Sequence, residues 1–381
     1  MALIVHKYGG TSLATSTRIR DVAARVGLEK RAGNDVIVVV SAMGDTTDHL
    51  LALATDLTPH PDPRELDMLL TTGERISMAL VAMALNSSGL NSISLTGSQS
   101  GIITDGTHTR ARILDVKGDR IQEGLAAGRI VIVAGFQGVS LTKEVTTLGR
   151  GGSDVTAVAL AARFGAVRCD IYTDVDGVYT ADPGRVPTAR RVTAIDHESM
   201  VVFAELGAGV LHPRAARWAL REQVPVVVRS SFIPGPGTLV GADPKPAPPP
   251  VLGLGCRRGV RVIETATAPA AANPAQDEER PVLLVAPGTA GRVRVARTAD
   301  GSDPVTPGMA AGDLLSVIVR PDLDAVALAD HLVPASARVL EAPLVTPRAI
   351  SFLVRPETAD DLVRLLHQEL IETATPLAVA H

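Results

Sequence analysis

Along the first two-thirds of the chain, short apolar runs of strand length alternate with longer stretches whose apolar residues recur at helical spacing. Leu3–Val5 is a short apolar strand that leads into a glycine pair. A helical pattern follows over Ser16–Arg31, then the run Val36–Val40, which reads as a buried strand. Further helical patterns cover Arg64–Asn86, Val155–Arg163 and Arg214–Glu222, while Ile130–Val133 and Asp170–Tyr172 read as further buried strands. Strands separated by helices imply an α/β fold with a largely parallel sheet, whose ligands gather at the carboxyl ends of the strands.

The pattern changes near Gly241. Ala242–Pro250 (ADPKPAPPP) reads as a proline-rich linker, and Ala266–Pro281 as a flexible loop. Order returns with a strand at Leu314–Val319, a helix over Leu323–His331, a strand near Ile350–Val354 and a helix over Ala359–Leu370. That order suggests a small α+β domain. The expected boundaries are 1–241, a Pro/Ala-rich linker and irregular segment at 242–281, and 282–381.

Composition removes several function classes. Of 381 residues, 46% are apolar, enough for a sizeable core, but only 2% are aromatic. A single-stranded nucleic-acid platform needs more stacking rings than that, and a net charge of -4 argues against a phosphate-backbone binder. Cys169 and Cys256 lie far apart, which excludes a disulfide framework and a cysteine zinc site and points to a reducing cytoplasm. The apolar stretch before His6 is too brief for a signal peptide, and no apolar run is expected to span a bilayer.

Three loops carry candidate chemistry. The first strand runs into His6–Ser12, where Gly9 and Gly10 let backbone N–H groups approach an anion and Lys7 supplies a point charge suited to phosphate. A tight turn with a surface lysine is the plain alternative, and the chain lacks the GxxxxGK[ST] pattern. The second loop, Thr146–Thr156 (TTLGRGGSDVT), opens into a helical pattern whose N-terminus favours anions. Arg150 in it suits a carboxylate bidentately. Ser153 and Asp154 could equally be ordinary N-caps. The third loop, Tyr172–Pro183 (YTDVDGVYTADP), places polar groups after a buried strand; its aspartates do not have EF-hand spacing.

Taken together, these stretches resemble the aspartate kinase family of the amino-acid kinase superfamily. The matching segments are KYGGTSL at Lys7–Leu13, SAMGDTTD at Ser41–Asp48, GERIS at Gly73–Ser77 and TGSQSGIITD at Thr96–Asp105. They continue with AGFQGV at Ala134–Val139, VTTLGRGGSD at Val145–Asp154, YTDVDGVYTADP, LHPR at Leu211–Arg214 and RSSFIPGPGTL at Arg229–Leu239. The resemblance covers nearly all of 1–241, in order. It implies an amino-acid-kinase-like, mainly parallel sheet flanked by helices, with a small α+β ACT-like domain after it.

The resemblance also implies roles. Lys7, with Gly9 and Gly10, would contact ATP phosphates, and Ser41 would lie in the neighbouring phosphate loop. Thr47, Glu74, Arg150, Gly152 and Ser153 would bind the amino acid, Glu74 facing its ammonium and Arg150 a carboxylate, with Phe136 as a wall. Thr173, Asp174, Tyr179 and Asp182 would line the nucleotide site. Lys7 and Asp154 would be the catalytic residues, Asp154 orienting the transferring group or its metal. ATP and Mg²⁺ are implied, the metal held largely through ATP oxygens and not by a protein cage. So are aspartate as substrate, a homodimer or higher homo-oligomer, and no nucleic-acid or membrane partner.

Two departures stand out. Gly209 occupies a position where the family usually has a lysine associated with ATP. The C-terminal third is a degenerate match to paired ACT units: Leu340–Leu370 resembles a closing strand, strand and helix, whereas Val282–Arg292 lacks a following helix pattern. Insensitivity to lysine and threonine is therefore expected. A kinase for another acidic amino acid, or a catalytically weak regulatory homologue, remain alternatives.

Overall fold

The computed structural model describes residues 1–207, 209–241, 249–265, 282–287, 293–298, 310–332, 340 and 343–373. Along the chain come β1 (Leu3–Tyr8), α1 (Ser16–Arg31), β2 (Asp35–Val40), α2 (Thr46–Leu57), α3 (Pro63–Ser87), β3 (Ser92–Leu95), β4 (Ile102–Thr104) and β5 (Ile113–Val116). Then follow α4 (Asp119–Ala126), β6 (Ile130–Ala134), β7 (Gln137–Ser140), β8 (Val145–Thr147), α5 (Gly152–Phe164) and β9 (Arg168–Thr173). Next are β10 (Ala194–Asp196), α6 (His197–Leu206), α7 (Pro213–Glu222), β11 (Val226–Ser230), β12 (Thr238–Gly241) and β13 (Val251–Thr265). The last elements are β14 (Val282–Pro287), β15 (Val293–Thr298), β16 (Ala310–Val319), α8 (Ala325–Leu332), β17 (Leu344–Thr346), β18 (Ala349–Val354) and α9 (Pro356–His367).

The chain forms two compact units, one of Met1–Gly177 with Val210–Ala242 and one of Val178–Gly209 with Asp243–His381. In the first, the main sheet runs β12-β11-β9-β1-β2-β6-β3, parallel except at β12. Val36 to Val40 and Ile130 to Ala134 are fully buried, as strands covered on both faces must be. Val36, Val38, Val40, Ile130 and Ile132 pack with Ile19, Val22 and Val26 of α1 and Val81 and Leu85 of α3. The intervening side chains face α4 and α5: a Cβ on Gly124 of α4 would sit 2.8 Å from Val131 Cγ2. A second sheet, β5-β4-β7-β8, carries the loop that leads into α5.

Helix α3 corrects the expectation that no run could span a bilayer. Its 25 residues are long and apolar enough by length and composition. Yet it buries Asp67 and Glu74, and its apolar stripe packs on α1 and the sheet, so it is a core helix of this unit.

The second unit holds an antiparallel sheet in the order β14-β15-β13-β16-β18-β17. Leu315, Val317, Ile350 and Phe352 of the sheet pack with Leu328 of α8 and Leu362, Val363 and Leu366 of α9. This α+β arrangement fits the ACT-like expectation. Val251–Thr265 is a 15-residue strand where an irregular segment was expected; residues 242–248 and 266–281 of that segment lie outside the described residues. The unit division also departs from the linear boundaries, because Val178–Gly209 packs with the C-terminal sheet. Ala181 and Val186 belong to its core, and a Cβ on Gly253 would meet Phe203 Cζ at 2.8 Å.

Candidate active site

Register places the site. Tyr8 pairs with both Val40 and Tyr172, and Val40 pairs with Ala134, so β1, β2, β6 and β9 end level with one another. The loops that follow are stitched side by side. Gly9 N–H donates to Tyr172 O (3.2 Å), Ser41 N–H to Tyr8 O (3.1 Å) and Gly135 N–H to Val40 O (3.0 Å). Gly9, Gly10, Ser41, Phe136, Thr173 and Asp174 are thereby gathered on one carboxyl edge, where open α/β sheets hold ligands.

Lys7 lies on β1 itself, since the strand continues to Tyr8 where the sequence suggested it would stop at Val5. Its Nζ is 2.7 Å from Asp154 Oδ1, both side chains 12% exposed. Asp154 stands in the first turn of α5, whose N-cap is Gly151 with φ +71° and no side-chain cap. Ser153 and Asp154 are therefore not caps. Gly152 N–H turns back to Gly149 O (3.0 Å), and the positive end of the helix faces this loop. Small residues bring it close: a Cβ on Gly135 would lie 2.8 Å from Ser153 Oγ, and one on Gly152 only 3.0 Å from Phe136 Cδ2.

Phe136 adopts φ +67°, a conformation a bulky residue rarely takes. Its N–H donates to Thr156 Oγ1 (3.2 Å) and its carbonyl accepts from Leu148 N–H (2.8 Å), which holds the ring against the glycine of α5. Such over-determined strain gathers at ligand sites. Arg150, in the same loop, is exposed.

Glu74 comes up from α3 beneath the loop after β2. Its Oε1 accepts from Ala42 N–H at 3.2 Å, while Oε2 has no partner among the described residues. The side chain is 3% exposed. Burial raises its pKa to about 7, against which the backbone N–H bonds act only in part. Gly73 lets α3 approach, as its Cβ would meet Ala42 Cβ at 2.7 Å and Thr46 Cγ2 at 3.6 Å. Thr47 follows in the first turn of α2. A half-satisfied buried carboxylate invites a cation.

Tyr179 and Asp182 belong to the second unit. Tyr179 bridges to Arg191, and Asp182 accepts from Gly184 N–H (2.9 Å) and lies 3.3 Å from Arg185 Nε. Their loop is fastened to α9: His367 Nε2 is 2.9 Å from Thr180 Oγ1, and Arg364 Nε donates to Arg185 O (2.9 Å). Gly209 has φ +60°, and nothing lies within 4 Å of where a Cβ would stand.

Among the described residues, His6, Glu29 and Asp170 form the group whose ligating atoms come close enough for a metal. They do not suit one. Arg168 Nε bonds both Asp170 oxygens at 3.1 Å, its other nitrogen reaches Glu29 (2.8 Å), and Arg229 stands 3.7 Å from Asp170. Near Lys7, Asp154 offers one carboxylate, which fits a Mg²⁺ held mainly by phosphate oxygens.

Sequence reasoning missed Asp67, a fully buried carboxylate two turns before Glu74 on α3. The available signal was an acid at the helical period of the buried face.

The amino acid kinase family model matches residues 2–230. An aspartokinase of Mycobacterium tuberculosis is 58% identical over 249 residues, covering 65% of this chain and 59% of that relative. The chain thus spans about three-fifths of the length of the curated relatives it matches. Among solved structures, E. coli aspartokinase III in complex with aspartate and ADP superposes with a TM-score of 0.81 at 24% identity, over 96% of this chain and 99% of that one, a likeness of fold. Aspartate kinase from Synechocystis gives 0.59 at 32% identity, over 96% of this chain and 69% of that one. With its family model matched from the first strand through β11 and the glycine loops gathered on one sheet edge, the chain belongs to the amino acid kinase family.

Proposed function

We propose that this chain is an aspartate kinase, moving the ATP γ-phosphoryl group to the β-carboxylate of aspartate to give 4-phospho-L-aspartate and ADP. The observation that carries this reading is a juxtaposition on one sheet edge. Lys7, beside Gly9 and Gly10, is a phosphate-type cation, and the buried Glu74 keeps one oxygen without a partner for an ammonium. Likeness to aspartokinases over the catalytic region supports it.

The chemistry needs no general base, because a substrate carboxylate is already ionised at neutral pH. A carboxylate oxygen attacks the γ-phosphorus in line, and the bond to the β–γ bridging oxygen breaks as ADP leaves. The chain's task is alignment and charge neutralisation. Lys7 meets the developing charge on the phosphoryl oxygens, and Asp154 holds the Lys7 ammonium in place. The uncapped start of α5 supplies N–H groups. Glu74, Thr47 and Ser153 bind the amino acid, Arg150 its other carboxylate, and Phe136 closes one wall. Thr173 and Asp174 serve the nucleotide. Mg²⁺ bound through the nucleotide's phosphates, with Asp154 as its protein neighbour, would neutralise charge on the transferring group.

Residues 1–241 act as the catalytic region. The antiparallel sheet serves assembly into a homodimer or higher homo-oligomer in a reducing cytoplasm and lacks lysine or threonine feedback. A coupled ADP-release assay with Mg-ATP tests the main reading. Aspartate-dependent ADP release, with the acyl phosphate trapped by hydroxylamine, is the expected result. Absence of aspartate-dependent release would overturn it.

A further inference from the structure

Asp67 lies on α3 with its side chain fully buried, and its carboxylate meets His108, Thr109 and Thr147 from the loops around Arg150. His108 Nδ1 stands 2.7 Å from Oδ2. Thr109 N–H donates to both oxygens, at 3.0 and 3.1 Å. Thr147 Oγ1, at the end of β8, donates to Oδ1 at 2.5 Å. One carboxylate therefore ties three separate stretches: the second turn of α3, the 105–112 loop and the root of the Arg150 loop.

The tie continues towards Arg150. Ala111 N–H donates to Thr147 O (2.8 Å), and Arg214 bonds the carbonyls of Leu148 and Ala111. The 105–112 loop lies flat against the Arg150 loop, since a Cβ on Gly149 would be 3.1 Å from Thr109 O. Thr109 itself is held at φ +66°, a conformation that persists only where surrounding bonds enforce it. Those bonds are the two from its N–H to Asp67. With its oxygens supplied by the chain's own donors, Asp67 has no role as a ligand for substrate. The contrast with Glu74, seven residues on along the same helix and lacking a partner at Oε2, is direct.

We propose that Asp67 is a positioning residue: by anchoring His108, Thr109 and Thr147, it fixes the Arg150 loop and thereby sets affinity for the amino acid's carboxylate. This rests on the reading of Arg150 as the carboxylate clamp. Helix α3 then sets both ends of the amino-acid site, the ammonium through Glu74 directly and the carboxylate through Asp67 at one remove.

The test compares Asp67→Asn, His108→Leu and His108→Asn in the full chain. It uses steady-state kinetics with aspartate and ATP, together with mass-spectrometric timing of trypsin cleavage after Arg150. In Asp67→Asn and His108→Leu the aspartate KM should rise about 10- to 100-fold, the scale on which misplacement of a binding group acts. kcat and the ATP KM should stay near wild type, the pattern of lost uniform binding, and cleavage after Arg150 should quicken. His108→Asn keeps an N–H donor near the Nδ1 position and should restore wild-type behaviour on both readouts. The proposal is overturned if kcat falls while the aspartate KM holds, if cleavage after Arg150 is unchanged, or if the two His108 variants behave alike. Should Asp67→Asn fail to fold, the His108 pair decides. Should the wild-type chain not turn over aspartate, the kinase reading fails while the cleavage comparison still decides the positioning role.

Discussion

Lys7 and His6 are neighbours on β1 whose side chains leave opposite faces of the sheet, and the two faces bury charge in different ways. Under α1, His6 lies among Asp170, Tyr8, Tyr172 and the arginines. Its imidazole is pushed down to about 3 by burial first and by Arg168, Arg229 and Arg25 after it. Tyr8 and Tyr172 stack at 4.7 Å, Arg25 covers Tyr172 at 4.9 Å, and burial drives both phenols up, that of Tyr172 to about 12. Here each carboxylate is answered by arginine. On the other face Lys7 meets a single carboxylate at the uncapped start of a helix, among glycines. The first face closes its charges on one another, whereas the second keeps charge facing outward. Burial of ionised groups alone does not mark a site: on the first face even His6 Nε2 and Arg229 Nε, which make no hydrogen bond among the described residues, stand 3.5 and 3.7 Å from Asp170.

The largest expected effect breaks the closed face. Asp170→Ala leaves Arg168 and Arg229 without their buried partner and should cost about 3–5 kcal/mol of stability, read by chemical denaturation. The KM values of the folded fraction should not move. A change in either KM without loss of stability would show that this face takes part in ligand binding.

Next comes the open face. Lys7→Ala removes the phosphate-directed charge and should lower kcat by roughly 10²–10³-fold, a loss that persists in the fully folded protein. Turnover close to wild type would remove Lys7 from the mechanism and leave its pairing with Asp154 structural.

Glu74 sharpens the comparison because its oxygen waits on the open side. Unfolded, a glutamate gives up its proton near 4.5; buried here, Glu74 keeps it to about 7. Between those values the folded chain binds more protons, so stability falls as pH rises across this window, by up to about 3 kcal/mol. Glu74→Gln should flatten that slope. An ammonium at Oε2 favours the ionised form, so in wild type the aspartate KM should fall as pH rises towards 7, and the variant should lose this dependence. A wild-type aspartate KM that is flat from pH 5 to 8 would exclude Glu74 as the ammonium partner.

These contrasts also explain what the sequence made legible. The glycine loops after β1 and β8 stood out because polar, flexible residues followed apolar runs, and Lys7, Arg150 and Asp154 were legible there. The closed cluster was not, since His6, Asp170 and Arg229 come from three strands joined only by register. Strand β13 was hidden because its glycines at 253, 255 and 259 interrupt the alternation of side chains. In the fold they allow close approach of backbone: a Cβ on Gly255 would be 2.5 Å from Leu206 O, and one on Gly253 2.7 Å from Thr180 O. Strands β4, β5, β7 and β8 have three or four residues each, too few to show a period.

The smallest expected effect asks whether a cation is missing at Gly209. Gly209 stands where the resemblance to aspartate kinases implies a lysine, and space is not the obstacle, because nothing lies within 4 Å of a Cβ there. The backbone is. At φ +60° glycine is at ease, while a lysine would pay about 1–2 kcal/mol for the left-handed conformation. A chain that had merely lost a lysine would be expected to keep a backbone that accepts one. Gly209→Lys should therefore destabilise the protein by about 1 kcal/mol and leave the ATP KM unimproved, in line with a loop rebuilt around glycine. A tighter ATP KM would show instead that a cation is missing at this position, and would favour the catalytically weak homologue over the working kinase.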